Sequence, residues 1–104
     1  MTTVLVAQQF SRHPAGRTSR DGPFSGQRFR EQFLEPSLRR REKVVVEFEG
    51  VRGAGSSFLE EAFGGLIRDG FPKDLVLQLV EVHHRSNPTV SAEVRQYIDR
   101  AKRA

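Results

Sequence analysis

Residues 43–70 read KVVVEFEGVRGAGSSFLEEAFGGLIRDG, and the change of period within this stretch decides the fold class. Lys43 to Glu49 is nearly continuous in β-branched residues over its first half and alternates over its second, the pattern of a strand in the middle of a sheet. Phe58, Leu59, Ala62, Phe63, Leu66 and Ile67 then recur in pairs every four residues, which puts all six on one stripe of a helix. Gly50 to Ser57 is a glycine-containing turn between the two. Ser57 and Glu60 have the spacing of a capping box, and Gly70 supplies the left-handed residue that ends the helix. Gly64 and Gly65 each cost about 1 kcal/mol of helix propensity relative to alanine, so close approach of this helix to the sheet or to a neighbouring helix is expected there.

The same grammar extends outward on both sides. Thr3-Val4-Leu5-Val6-Ala7 reads as a buried strand that ends near Phe10. Residues 11–23 are dense in Gly, Pro, Ser and Arg, with no Val, Leu, Ile or Phe, so they form a long loop of the kind that tends to be functional or mobile. Ser25 offers an N-cap to a helix carrying Phe29, Phe33 and Leu34 on one face, which Pro36 kinks or ends. Beyond the central stretch, Leu75 to Val82 reads as a third strand entered through Phe71-Pro72. Asn87-Pro88 opens a last helix with Val90, Val94, Tyr97 or Ile98, and Ala101 inward. Strand and helix alternate three times. The expectation is one α/β domain over residues 1–104, a small, mostly parallel or mixed sheet of three to four strands with about three helices against it.

Composition narrows the function classes. The 104 residues contain no cysteine, which removes disulfides, thiolate metal sites and cysteine nucleophiles. The early apolar stretch Val4 to Ala7 is too short for a signal-peptide core or a membrane span, so a cytoplasmic location is the expectation. The formal charge of +4 raises nucleic acid as a partner, yet the 14 arginines are scattered and many have acids nearby. His83 and His84 are adjacent in a strand and point to opposite faces, unsuited to sharing a metal. Gly50 to Gly55 lacks the order of a dinucleotide fingerprint, and no Gly-x-Ser-x-Gly elbow surrounds Ser56; the reading implies no cofactor.

The run from Val44 to Leu59 resembles the centre of the STAS domain of anti-anti-sigma factors and sulfate transporters, where an apolar strand and a short turn lead into Asp-Ser-Ser-Gly-Leu at a helix start. In that likeness Ser56 matches the serine phosphorylated by a partner kinase and Ser57 the second hydroxyl, while Gly55 and Phe58 replace the aspartate and the glycine. Most of residues 3–100 is similar to a bacterial group of small STAS-like domains of unassigned function. The shared features are Phe10 before the Gly- and Arg-rich loop, Asp21 to Gly26 before Phe29-Arg30, and Ser56 to Leu66. The resemblance implies a regulatory domain rather than an enzyme, with an ATP-binding kinase of the histidine-kinase-like class, or an anti-sigma-like factor, as partner.

The candidate site is the rim where strands end and helices begin, because unpaired backbone donors collect there. Ser56 and Ser57 are the phosphorylation candidates. Arg12, Arg17, Arg20, Asp21, Arg52 and Phe58 are the partner-binding candidates, the guanidinium groups being suited to phosphate or carboxylate. A nucleic-acid-binding module using the scattered arginines is the second reading, and a small hydrolase or transferase centred on the same rim is the third. The oligomeric state is expected to be a monomer or a weak dimer.

Overall fold

The structure is a computed structural model that describes residues 1–104. Three strands, β1 (Thr2–Leu5), β2 (Val44–Glu47) and β3 (Val80–His83), form a wholly parallel sheet in the order β1-β2-β3. Register pairs Val4 with Val46 and Val46 with Val82, so the valines stack across one face, where they are buried. The central place of β2 follows from its sequence, since Val44, Val45 and Val46 are all buried. The other face carries Thr3, Leu5, Glu47, Glu81 and His83 around Val45; Leu5 is 40% exposed there.

The chain leaves β1 through one helical turn, α1 (Val6–Gln9), rather than continuing as strand to Ala7 as expected. β2 has no residue left to pair beyond Leu5 opposite Glu47, and the turn drops Val6 into the core while Phe10 and Ser11 donate to its carbonyl. A continuous helix, α2 (26–39), joins β1 to β2 after the long loop. Pro36 does not end it. The helix widens into a π turn at Arg30–Leu34, with Glu35 N–H donating to Arg30 O, and this shift of phase takes up the missing proline donor.

After β2, α3 (56–68) is also continuous, with a second π turn at Glu60–Gly64. It ends as its sequence indicates. Gly70 is left-handed (φ +103°), its N–H donates to Ile67 O and that of Phe71 to Leu66 O, the paired bonds of a Schellman motif. Leu75 to Leu79, expected as strand, is helical instead: α4 (Lys73–Leu79) precedes β3, which begins only at Val80. A short leucine-rich run is ambiguous in period, and here Pro72 sets the first turn while Val76 alone is fully buried. The last helix, α5 (Thr89–Arg100), buries Val90, Val94 and Ile98 as its spacing requires.

Aromatic rings knit these elements together. Phe29 lies 5.2 Å from Phe10, 5.8 Å from Phe58 and 6.3 Å from Phe63, and Phe63 lies 6.4 Å from Phe48. The chain of rings runs from α1 through α2 and α3 to the end of β2. Gly26 permits this approach: a Cβ there would lie 2.6 Å from Phe58 O and 2.9 Å from Ala62 N, so α2 and α3 touch backbone to backbone.

Candidate functional site

Parallel strands all end at one edge of the sheet, so the loop after β1 and the turn after β2 meet there. Arg52 N–H donates to Arg12 O at 2.7 Å, which joins the two segments. The loop over residues 11–23 is held, not free. Its carbonyls at Gly16 and Arg17 accept the N–H groups of Gly26 and Gln27 (both 2.9 Å), and Ser25 Oγ accepts that of Arg28 at 3.2 Å. The opening donors of α2 are thereby satisfied from its own loop.

Asp21 works inside that loop. Its carboxylate accepts from Thr18 N–H (3.1 Å) and Arg17 N–H (3.0 Å), bonds that hold its pKa below the usual range and close a short turn at Ser19–Asp21. Both bonds fall on Oδ2, so Asp21 shapes the loop through one oxygen while its exposed Oδ1 has no partner in the protein. Arg17 reaches across to α3 and pairs with Glu60 at 2.6 Å. Arg68 binds the same carboxylate through both terminal nitrogens (2.8 and 3.0 Å). Bonding to Arg68 first, and then to Arg17, holds the Glu60 pKa below its ordinary value in spite of partial burial.

The start of α3 differs from that of α2. Its N-cap is Gly55, which has no side chain to cap with, and the capping box expected from Ser57 and Glu60 is absent because Glu60 is committed to Arg17 and Arg68. Ser56 and Ser57 occupy the first two helical positions and are exposed. The N–H groups of Ser56, Ser57 and Phe58 have no acceptor in the protein, the first bond of the helix being Leu59 N–H to Gly55 O at 3.1 Å. Arg12, Arg20 and Arg52 are exposed and make no ion pair. Phe58, expected to face a partner, is fully buried among Phe10 and Phe29; it supports the rim from beneath. Tyr97 of α5 brings its hydroxyl to the same corner, where bonding to Glu93 at 2.5 Å pushes its pKa up and the nearby Ser56 acts in the opposite direction.

Sequence reasoning missed the polar cluster behind this rim. The Arg30 side chain is 6% exposed, and its guanidinium meets Glu61 (2.9 Å), Asp69 (3.0 Å) and Glu35 (3.2 Å) and donates to Glu61 O. Burial works against the charge on Arg30, but the three carboxylates outweigh it and its pKa rises. Glu35 is pushed up by burial and then by Asp69, whereas Asp69 is held down by Glu35 and Arg30. Gly65 is the neighbour that makes this possible, since a Cβ there would fall 2.7 Å from Arg30 Cζ. The glycine pair was the one visible signal; it suggested close approach of the sheet or a neighbouring helix, whereas at Gly65 what approaches is the Arg30 side chain.

His83 and His84 diverge as adjacent strand residues must: His83 Nε2 meets Glu81 at 2.5 Å on the exposed face, and His84 stacks on Phe48. No helix is long and apolar enough to cross a membrane. Compared with known families, residues 25–89 match the model of the STAS-like domain of unknown function (DUF4325), a span that runs from the cap of α2 through α3 and β3 to the first residue of α5. No curated protein and no solved structure matches the chain.

Proposed function

The chain belongs to the family of STAS-like domains of unknown function, and from that premise we propose that it is a non-catalytic, regulatory protein-interaction domain switched by a phosphoryl group at Ser56 or Ser57. The observation that carries this reading is the contrast between two helix starts on one rim. Loop carbonyls and Ser25 close the start of α2, while α3 begins with two exposed hydroxyls beside three unused N–H donors.

A phosphoserine there adds about −1.5 to −2 charges at a position where the helix dipole and free donors favour an anion. Glu60, four residues from Ser56, would oppose such a charge, but Arg17 and Arg68 already neutralise it. Arg12, Arg20 and Arg52 remain free to meet either the phosphate or an acidic partner surface. The partner that fits is an ATP-binding kinase of the histidine-kinase-like class or an anti-sigma-like factor, which would read the rim with and without the phosphate.

Co-purification of the native protein from its own cells, followed by phosphopeptide mass spectrometry, tests this. We expect capture of an ATP-binding protein and a phosphate on Ser56 or Ser57 that Ser56→Ala or Ser57→Ala removes, with capture weakened by Arg12→Ala or Arg52→Ala. A clean preparation without such a partner, or one that yields only nucleic acid with binding lost steeply as salt rises, would overturn it.

A further inference from the structure

Each edge of the sheet ends differently. At β1, Leu5 N–H points outward and is taken by Gln9 Oε1 at 2.6 Å as the chain turns into α1, which leaves Thr3 as the outward residue without main-chain partners. At β3 the phase of pairing is set by Phe48 N–H donating to His83 O at 2.8 Å. Glu81 and His83 therefore turn their main-chain groups toward β2, and Val80, Val82 and His84 turn theirs away. Two of these outward groups are used within the chain: Val80 N–H donates to Val76 O, and His84 O accepts from Asn87 N–H. Val82 N–H, Val82 O, Val80 O and His84 N–H are left without partners. A groove of about 610 Å³ runs along this edge, with Leu77, Val94 and Ile98 on its helical side and Glu47, Glu81 and His83 on the other.

These four groups complement a copy of themselves. Two β3 strands laid antiparallel about a two-fold axis at Val82 exchange Val82 N–H and O in both directions, and each His84 N–H meets the other copy's Val80 O. The two groups that this register leaves unserved, Val80 N–H and His84 O, are the two already satisfied inside each chain. Side chains agree with the backbone. The strand reads Val80-Glu81-Val82-His83, so the register sets Glu81 opposite His83 of the second copy on the exposed face and Val82 opposite Val82 on the other. We propose that the protein self-associates through β3 as a two-fold dimer, joining the two sheets into one of six strands. Such a shared surface is isologous, the same patch serving both copies. Neither Ser56 nor Ser57 lines the groove along β3, and the proposal does not depend on the switch proposed there.

Sedimentation over a range of protein concentration tests the proposal, with exposed position 83 as the probe. His83→Glu places like charges opposite Glu81 twice per dimer and should weaken association about 30-fold, whereas His83→Lys sets an opposite charge there and should not weaken it. The register is tested separately by mixing Glu81→Cys and His83→Cys chains under mild oxidation, since the protein has no cysteine of its own. Residues 81 and 83 of opposite copies form the close, non-hydrogen-bonded pair, within disulfide reach, so the mixture should cross-link far better than either variant alone. A protein that stays monomeric at all concentrations, or a dimer indifferent to His83→Glu and without the mixed cross-link, would overturn the proposal.

Discussion

Gly65→Ala is expected to change sign according to what stands at position 30. In the native protein the added Cβ falls 2.7 Å from Arg30 Cζ and 3.1 Å from Arg30 Cδ, closer than van der Waals contact allows. The guanidinium must move, and it has three carboxylates to lose. Unmaking one side of a buried ionic cluster costs about 3–5 kcal/mol. Alanine in place of a helical glycine returns about 1 kcal/mol, so the net loss is about 2–4 kcal/mol against a total stability of about 5–15 kcal/mol for a domain of this size. In an Arg30→Ala background the nearest obstacles are gone, because the three closest atoms all belong to Arg30. There the same substitution should stabilise by about 1 kcal/mol. Urea unfolding of the four proteins of this cycle, compared at constant slope, gives the coupling directly. Equal signs in the two backgrounds, or a coupling below about 1 kcal/mol, would refute the placement of Arg30 against Gly65.

Gly26→Ala should destabilise by about 3 kcal/mol or more in the same assay, since its Cβ meets the backbone of α3 and not a movable side chain. Glu60→Gln should cost about 1 kcal/mol at neutral pH. Because the folded-state pKa of Glu60 lies below its unfolded value, that difference should vanish as pH falls through the folded pKa, readable from midpoints between pH 7 and about pH 3. Glu35→Gln should run the other way: its pKa is raised by burial and by Asp69, so the variant should gain on the native protein as pH rises from about 4 to 7. A Glu35→Gln protein that loses ground over that range would contradict the assignment. Gln9→Ala should speed hydrogen exchange at the Leu5 amide and leave β2 protected, because it opens only the β1 edge.

Local pattern was enough wherever one residue type has one physical outcome. Three valines in succession had to be buried on both faces of a central strand, paired apolar residues four apart had to make the stripe of α3, and Gly70 had to end it. Membership of the STAS-like family was legible from residue runs such as Ser56 to Leu66, as was the exposure of Ser56 and Ser57 at a helix start. Readings failed where local sequence allowed two outcomes and contacts elsewhere in the fold chose between them. Leu75 to Leu79 suits helix or strand, and packing of Val76 settled it. Glu60 suits a capping box or an ion pair, and Arg17 and Arg68, 43 and 8 residues away, took it. Phe58 sits at a rim in sequence but under it in space, since α2 closes over that face through Gly26. Arg30 looked like one surface arginine among many. It becomes the centre of a buried cluster because two π turns, a missing Cβ, one carboxylate of its own helix and two from α3 and its C-cap converge on it, and no local period records a convergence of that kind.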